Sequence, residues 1–259
     1  MCGRFVQASA PSNLALLKDV QLPDSRLSNW PPRYNAAPSQ DFLLIRRNHQ
    51  SRERSLDLLR WGLIPNWSRE PGGGRKPINA KAETVATLST FCEAYARRRA
   101  ILPVDGFYEW KAAHGRKQPY VIAMKDCTPF GLAALWENWR DPKTGHWLRT
   151  FTIITVPANE LLREVHPRMP AILEPKDYER WLGPEPDPRE VMRSYPAELM
   201  TIWPNLGARE LAQERRCRHP AAGRNQGCAG GRRQVSGTGR CYVNFCRNTC
   251  QNAEKATAT

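Results

Sequence analysis

The sequence predicts an α+β fold: a single compact domain with a largely antiparallel, barrel-like sheet core and packed helices. Three observations predict it. Short apolar segments alternate with turn signals along most of the chain, the pattern of many strands joined by tight connections. Helical periodicity occurs in isolated segments, without the regular strand–helix–strand order that builds a parallel sheet. With 259 residues, 41% hydrophobic, and nine tryptophans, the chain can bury one sizeable core.

In chain order, a helix is expected over 11–20 (PSNLALLKDV), with Ser12 and Asn13 near its start. Strands are expected over 41–47, 55–64, 99–110, 119–124, 130–139 and 149–156, each rich in β-branched, aromatic or leucine residues. Further helices are expected over 84–98, 158–165 and 175–183. The PGGGRKP segment (71–77) reads as a flexible surface loop, either flanking a cleft or simply inserted. No run of eighteen apolar residues occurs and the start MCGRFVQASA has no signal-like stretch. A soluble cytoplasmic protein is therefore expected, with free thiols and no membrane contact.

The formal net charge is +14, from 39 Lys+Arg against 25 Asp+Glu. Such a balance suits a polyanion partner. From Asn205 onward, however, there are ten Lys+Arg and three Asp+Glu, so half the excess lies outside the globular part. This divides the chain into a globular domain, 1–204, and an atypical basic tail, 205–259. The tail holds five of the eight cysteines, Cys217, Cys228, Cys241, Cys246 and Cys250. It reads as disordered ahead of a metal module, because no paired CxxC spacing is present.

Cys2 is the first candidate for chemistry. With Met1 removed it presents an α-amine of pKa near ~8 beside a thiol near ~8.5. The amine condenses with an aldehyde to an imine, and the thiol then closes a five-membered thiazolidine, a step favoured by proximity. A small buried cysteine is the plain alternative at this position. In GFYEW (106–110), strand alternation puts Glu109 on the face opposite Tyr108 and Trp110. Burial would raise its pKa and fit it for acid–base work, whereas a solvent-facing strand glutamate would do nothing. His166, in VHPRMP (165–170), sits in a loop-like turn where it can exchange protons near neutral pH. His49, His114 and His146 lie in polar turns and receive no role.

NAKAET (79–84) sets Asn79 and Lys81 just ahead of the expected helix, where a phosphate would be attracted. WGLIPNW (61–67) places Trp61 and Trp67 around a proline turn. Either is a stacking platform for unpaired bases or a core aromatic.

Taken together, MCGRF (1–5), YNAAPSQ (34–40), WGLIPNW (61–67), NAKAET (79–84), ILPVDGFYEW (101–110) and HPRMP (166–170) resemble the SRAP family, the SOS response-associated peptidase-like proteins. The resemblance spans nearly all of residues 1–204. It implies covalent capture of abasic sites in single-stranded DNA, during the response to DNA damage, by a compact α+β domain. It makes Cys2 the nucleophile, has Asn79 orient the amino terminus and sugar, and gives Glu109 proton transfer and sugar ring opening. His166 then assists proton transfer and reversal. Arg4 and Lys81 match DNA-backbone contacts, Trp61 and Trp67 match aromatic positions beside the strand, and Asn35 and Thr155 match polar site positions. Lyase-like activity and self-removal of Met1 belong to the same implication. No metal and no cofactor is expected, and a monomer is.

Beyond MTIWP (200–204) the family pattern stops. ELAQERRCRHP (210–220) can be encoded so that reading one base later gives NSPKNDAADIL, which is like the family's ending. A frameshift near residues 205–209 would account for the tail. Two other functions fit the residues less fully: a cysteine peptidase using Cys, His and Asn, and a non-covalent single-stranded DNA-binding module.

Overall fold

The computed structural model describes residues 2–205 apart from 18, 23, 49–50, 70–75 and 114–115. The tail from residue 206, with its cysteines and the frameshift reading, lies outside the described residues. So do most of the 71–77 loop, His49 and His114.

In chain order the described elements are β1 (Arg4–Gln7), α1 (Pro11–Leu14), β2 (Val20–Gln21), β3 (Arg33–Ala36), β4 (Asp41–Arg47), β5 (Arg54–Trp61) and β6 (Asn79–Lys81). There follow α2 (Cys92–Arg97), β7 (Arg99–Val104), β8 (Gly106–Ala113), β9 (Arg116–Met124), β10 (Phe130–Arg140) and β11 (Trp147–Pro157). The chain continues through α3 (Glu160–Arg163), β12 (Arg168–Pro170), β13 (Ile172–Leu173), α4 (Tyr178–Leu182) and β14 (Met200–Pro204).

Strands β5, β4, β7, β10 and β11 form a ring of antiparallel neighbours. The ring closes where β11 pairs in parallel with β5, Thr150 against Arg60 and Phe151 against Trp61. A closed ring has no edge strand to protect. Its filling is aromatic: Phe42, Trp61, Phe151 and the incoming Phe5 are fully buried. The Trp61 and Phe151 rings stack 6.2 Å apart, and Phe5 meets Phe42 edge-on at 4.6 Å. Because β7 and most of β10 are covered on both faces, they read as continuous apolar runs rather than alternating ones.

A second antiparallel sheet, in the order β14–β9–β8–β1–β3, packs beside the barrel. The expected single strand 99–110 is split at Asp105. That carboxylate accepts from the backbone N–H of Ala8 (2.6 Å) and Ser9 (2.9 Å). Gly106 then passes so close to β9 that a Cβ there would stand 2.8 Å from the Ile122 carbonyl oxygen. One strand thus leaves the barrel and enters the second sheet. Arg99, buried at the start of β7, is held by carbonyls of Tyr95, Trp181, Gly183 and Glu185.

Three helices are much shorter than expected, that over 158–165 being only Glu160–Arg163. The 11–20 helix stops at Leu14, and Asp19 at φ 60° turns the chain into β2. Of 84–98 only Cys92–Arg97 is helical, because the Ser/Thr-rich stretch before it folds into turns, with Thr87 Oγ1 donating to Thr84 O at 3.2 Å. NAKAET therefore opens no helix, and the expected helix-dipole site for phosphate at Lys81 is absent. No helix among the described residues is long and apolar enough to cross a membrane.

Candidate active site

Three strand pairings converge on one place. β1 runs antiparallel to β8, with Arg4 opposite Tyr108 and Phe5 opposite Phe107, so the residues just ahead of β1 lie alongside Glu109. β6 runs parallel to β11, pairing Asn79 with Ile153 and Lys81 with Thr155. On the other edge of β11, β12 pairs Pro170 with Thr155 and Arg168 with Pro157. Residues 2, 79, 109, 155 and 166–168 are thereby gathered from five separate segments.

Cys2 is fully buried. Its carbonyl accepts from Asn79 Nδ2 at 2.9 Å, and its Sγ donates to Arg4 O at 3.7 Å. Asn79 Oδ1 is buried with no hydrogen-bond partner among the described residues. One end of this amide pins the Cys2 backbone and the other end is left to accept. Burial, and next the negative charge of Glu109, push the Cys2 thiol well above its ordinary pKa. It is held as a thiol.

Glu109 is only 2% exposed, which rules out the solvent-facing alternative. Tyr108 and Trp110 share the opposite face with their rings 6.5 Å apart, as alternation requires. Burial raises the Glu109 carboxyl above the usual carboxylate range, against the lowering effect of the positive amino terminus and of His166. His166 Nδ1 lies 3.0 Å from both the backbone nitrogen and the carbonyl oxygen of Arg168, so it accepts from the one or donates to the other according to its tautomer.

Arg168 received no role from the sequence. Its guanidinium takes both oxygens of Glu83, at 2.6 and 2.9 Å, and also reaches the carbonyl and hydroxyl of Thr155. This fork ties NAKAET to HPRMP across β11 and draws the Glu83 carboxyl below its ordinary pKa. Both residues lie inside quoted motifs, so the signal was their membership of those segments. Thr155 is fully buried, with Oγ1 donating to Ala80 O at 3.3 Å. Arg4 Nη1 donates to Asn35 Oδ1 at 2.9 Å, which couples two of the expected DNA-facing residues on neighbouring strands. Lys81 is exposed at the end of β6.

The two tryptophans separate. Trp61 is inside the barrel, with Nε1 bonded to Ile78 O at 2.9 Å, and offers no face to a base. That corrects its expected place among DNA-contacting residues: it closes β5, and a strand end entering the barrel is buried. Gly62, at φ 121°, then turns the chain outward, and Trp67 emerges 62% exposed. The loop beneath Trp67 is fixed by Trp139 Nε1 donating to Ser68 O (2.7 Å) and by Asn66 donating to Glu93 (3.1 Å). Among the described residues no group of three or more His, Cys, Asp or Glu is placed to hold a metal ion.

The family model described as SOS response associated peptidase (SRAP) matches residues 1–205. The abasic site processing protein YoqW of Bacillus subtilis is 39% identical over 210 residues, covering 78% of this chain and 91% of that one. YedK of Escherichia coli, which carries the same description, is 34% identical over 187 residues, covering 71% and 81%. The frog protein HMCES (Xenopus tropicalis), again an abasic site processing protein, is 30% identical over 244 residues, covering 79% and 73%. A solved structure of a protein from Bacteroides thetaiotaomicron superposes with TM-score 0.72 at 25% identity, covering 78% of this chain and 91% of that chain.

Proposed function

The chain belongs to the SOS response associated peptidase (SRAP) family, and on that premise we propose that it processes abasic sites in single-stranded DNA by capturing them covalently on Cys2. The observation that carries this reading is the amino-terminal cysteine held by its own backbone, through Asn79, against a buried carboxyl of raised pKa. An enzyme whose cysteine attacks as a thiolate places that sulfur in an electropositive, partly exposed setting. Here the sulfur is buried, held as a thiol and close to the Glu109 carboxyl.

The proposed sequence begins with removal of Met1, by the protein itself or by an aminopeptidase, which frees the Cys2 α-amine. Protonated Glu109 gives its proton to the ring oxygen of the sugar hemiacetal and its carboxylate takes the hydroxyl proton, so the aldehyde opens. The amine then adds to the aldehyde carbon. Glu109 protonates the carbinolamine hydroxyl, which leaves as water and gives the imine. Finally the sulfur adds to the imine carbon, the thiol proton passes by way of the Glu109 carboxylate to the imine nitrogen, and the thiazolidine closes. The net change is aldehyde plus aminothiol to thiazolidine plus one water. His166, electrostatically coupled to Glu109, assists the proton transfers and the reverse opening. An imine that forms without sulfur closure is also the species from which lyase-like strand cleavage would proceed.

Asn79 Oδ1 is positioned to accept from the amine or a sugar hydroxyl. Arg4, steadied by Asn35, and Lys81 supply cationic contacts to phosphate, buried Thr155 holds Ala80 and Arg168 in place behind them, and Trp67 is a stacking platform. The protein acts as a monomer on this reading. The test is incubation with a single-stranded oligonucleotide carrying one abasic site, followed by a denaturing gel. A Cys2-dependent shifted band is expected. Binding in native gels with no denaturation-resistant band would leave only a DNA-binding module.

A further inference from the structure

Capture leaves the turn end of the β10–β11 ribbon unused. We propose that this end is a second contact surface for single-stranded nucleic acid, remote from Cys2; the inference rests on the reading that the protein acts on DNA.

The register sets Arg140 opposite Trp147, Asn138 opposite Arg149 and Trp136 opposite Phe151, and directly opposed residues share a face. Trp147 is 62% exposed, and the Arg140 guanidinium lies 5.8 Å from its ring centroid. Further in along the same face, Arg46 sits 4.8 Å over Trp136, whose Nε1 is buried without a partner among the described residues. Arg149 is held below the ordinary guanidinium pKa, first by burial and next by the charge of Arg46. One carboxylate, Asp57, serves both of these arginines, and it is already bonded by Arg46 and by Ser55. Asp141, in the turn, is engaged by the backbone N–H groups of Lys143 (2.8 Å) and Thr144 (3.4 Å). The face therefore carries surplus positive charge around an exposed indole.

That combination fits a base on the indole with phosphates at the guanidiniums. A protein partner would meet a continuous apolar patch, whereas here the exposed apolar surface is one ring bordered by cations. Trp147 precedes Thr155 by eight positions in β11, about 26 Å along the strand at ~3.3 Å per residue. At ~3.4 Å per nucleotide of a helical strand, the two contacts stand roughly eight nucleotides apart.

The test compares wild type with a Trp147→Ala, Arg149→Ala double variant on two single-stranded oligonucleotides, of eight and thirty nucleotides. Capture of the eight-nucleotide strand with a central abasic site is expected to be equal for both, which also shows that the variant folds. Affinity for an undamaged thirty-nucleotide strand is expected to fall about tenfold in the variant, the effect of one lost base–aromatic stack. The slope of log affinity against log salt should flatten by about 0.7 with the lost arginine contact. Trp147→Phe should retain most of the affinity. Unchanged affinity and salt slope in the double variant would overturn the proposal, and so would a change confined to self-association or protein binding. Should neither protein capture the short strand, the capture reading fails while the thirty-nucleotide comparison still decides this one.

Discussion

At the scale of single residues, the proposed mechanism divides the chemistry among Cys2, Asn79 and Glu109. Glu109→Gln keeps the shape and removes the proton. General acid–base groups contribute roughly 100- to 10,000-fold, and a loss in that range is expected in the single-turnover rate of band formation. The same variant carries a stability signature. The folded-state pKa of Glu109 is raised, so its contribution is fully present below the unfolded carboxylate pKa and is lost as pH rises through the folded value. Melting temperature measured against pH should therefore fall less steeply on the way to neutrality for Glu109→Gln than for wild type. Equal slopes would mean that Glu109 is not the buried acid described above. Asn79→Ala removes the bond to the Cys2 carbonyl. It should slow capture about tenfold or more while leaving affinity for undamaged DNA unchanged, since misplacement of a reacting group is costly even when binding survives.

At the scale of elements, β11 is the organiser. It closes the barrel through Phe151 and Trp61, and it carries β6 and β12, hence Asn79 and the His166–Arg168 turn, on its far half. Trp61→Ala should destabilise by about 3–5 kcal/mol, the range for emptying a large aromatic from a core. Trp67→Ala should leave the melting temperature within a degree or two and weaken only strand binding. Thermal melts together with anisotropy on undamaged DNA separate these two outcomes. The Arg168–Glu83 fork is half open to solvent on the Glu83 side, whose side chain is 48% exposed, so Glu83→Gln should cost no more than ~1 kcal/mol. Because the Glu83 pKa is lowered, that contribution is present above the unfolded pKa and is lost as pH falls through the folded one. Much of this architecture was legible in advance. Strands 41–47, 130–139 and 149–156 follow from apolar runs of strand length, and motifs in one order nominate the candidate site residues. The helices were less legible, since Thr87 and its neighbours bond to their own backbone and defeat an apparently helical pattern. The inside position of Trp61 and the outside position of Trp67 were also hidden, because both flank the same proline turn and only barrel closure distinguishes them. The short strands β1, β3, β6 and β12 have too few residues to show a period, yet they bring the site together.

At the scale of the whole molecule, a closed barrel supports a second sheet whose strand β1 delivers the amino terminus. We propose residues 1–204 as the complete capture unit, with the basic segment after it dispensable. A chain ending at Asn205 should capture abasic DNA at the full-length rate. Resequencing the gene around residues 205–209 tests the frameshift reading directly. In the proposed capture, amine and sulfur of Cys2 both bond to the DNA aldehyde. Intact-mass and tandem mass spectrometry of the adduct with an abasic oligonucleotide tests it in one experiment. The expected mass is the chain without Met1 plus the oligonucleotide minus one water, with the modification on Cys2 and stable without a reducing agent. An adduct that retains Met1, maps to another residue, or survives only after reduction of an imine would contradict it.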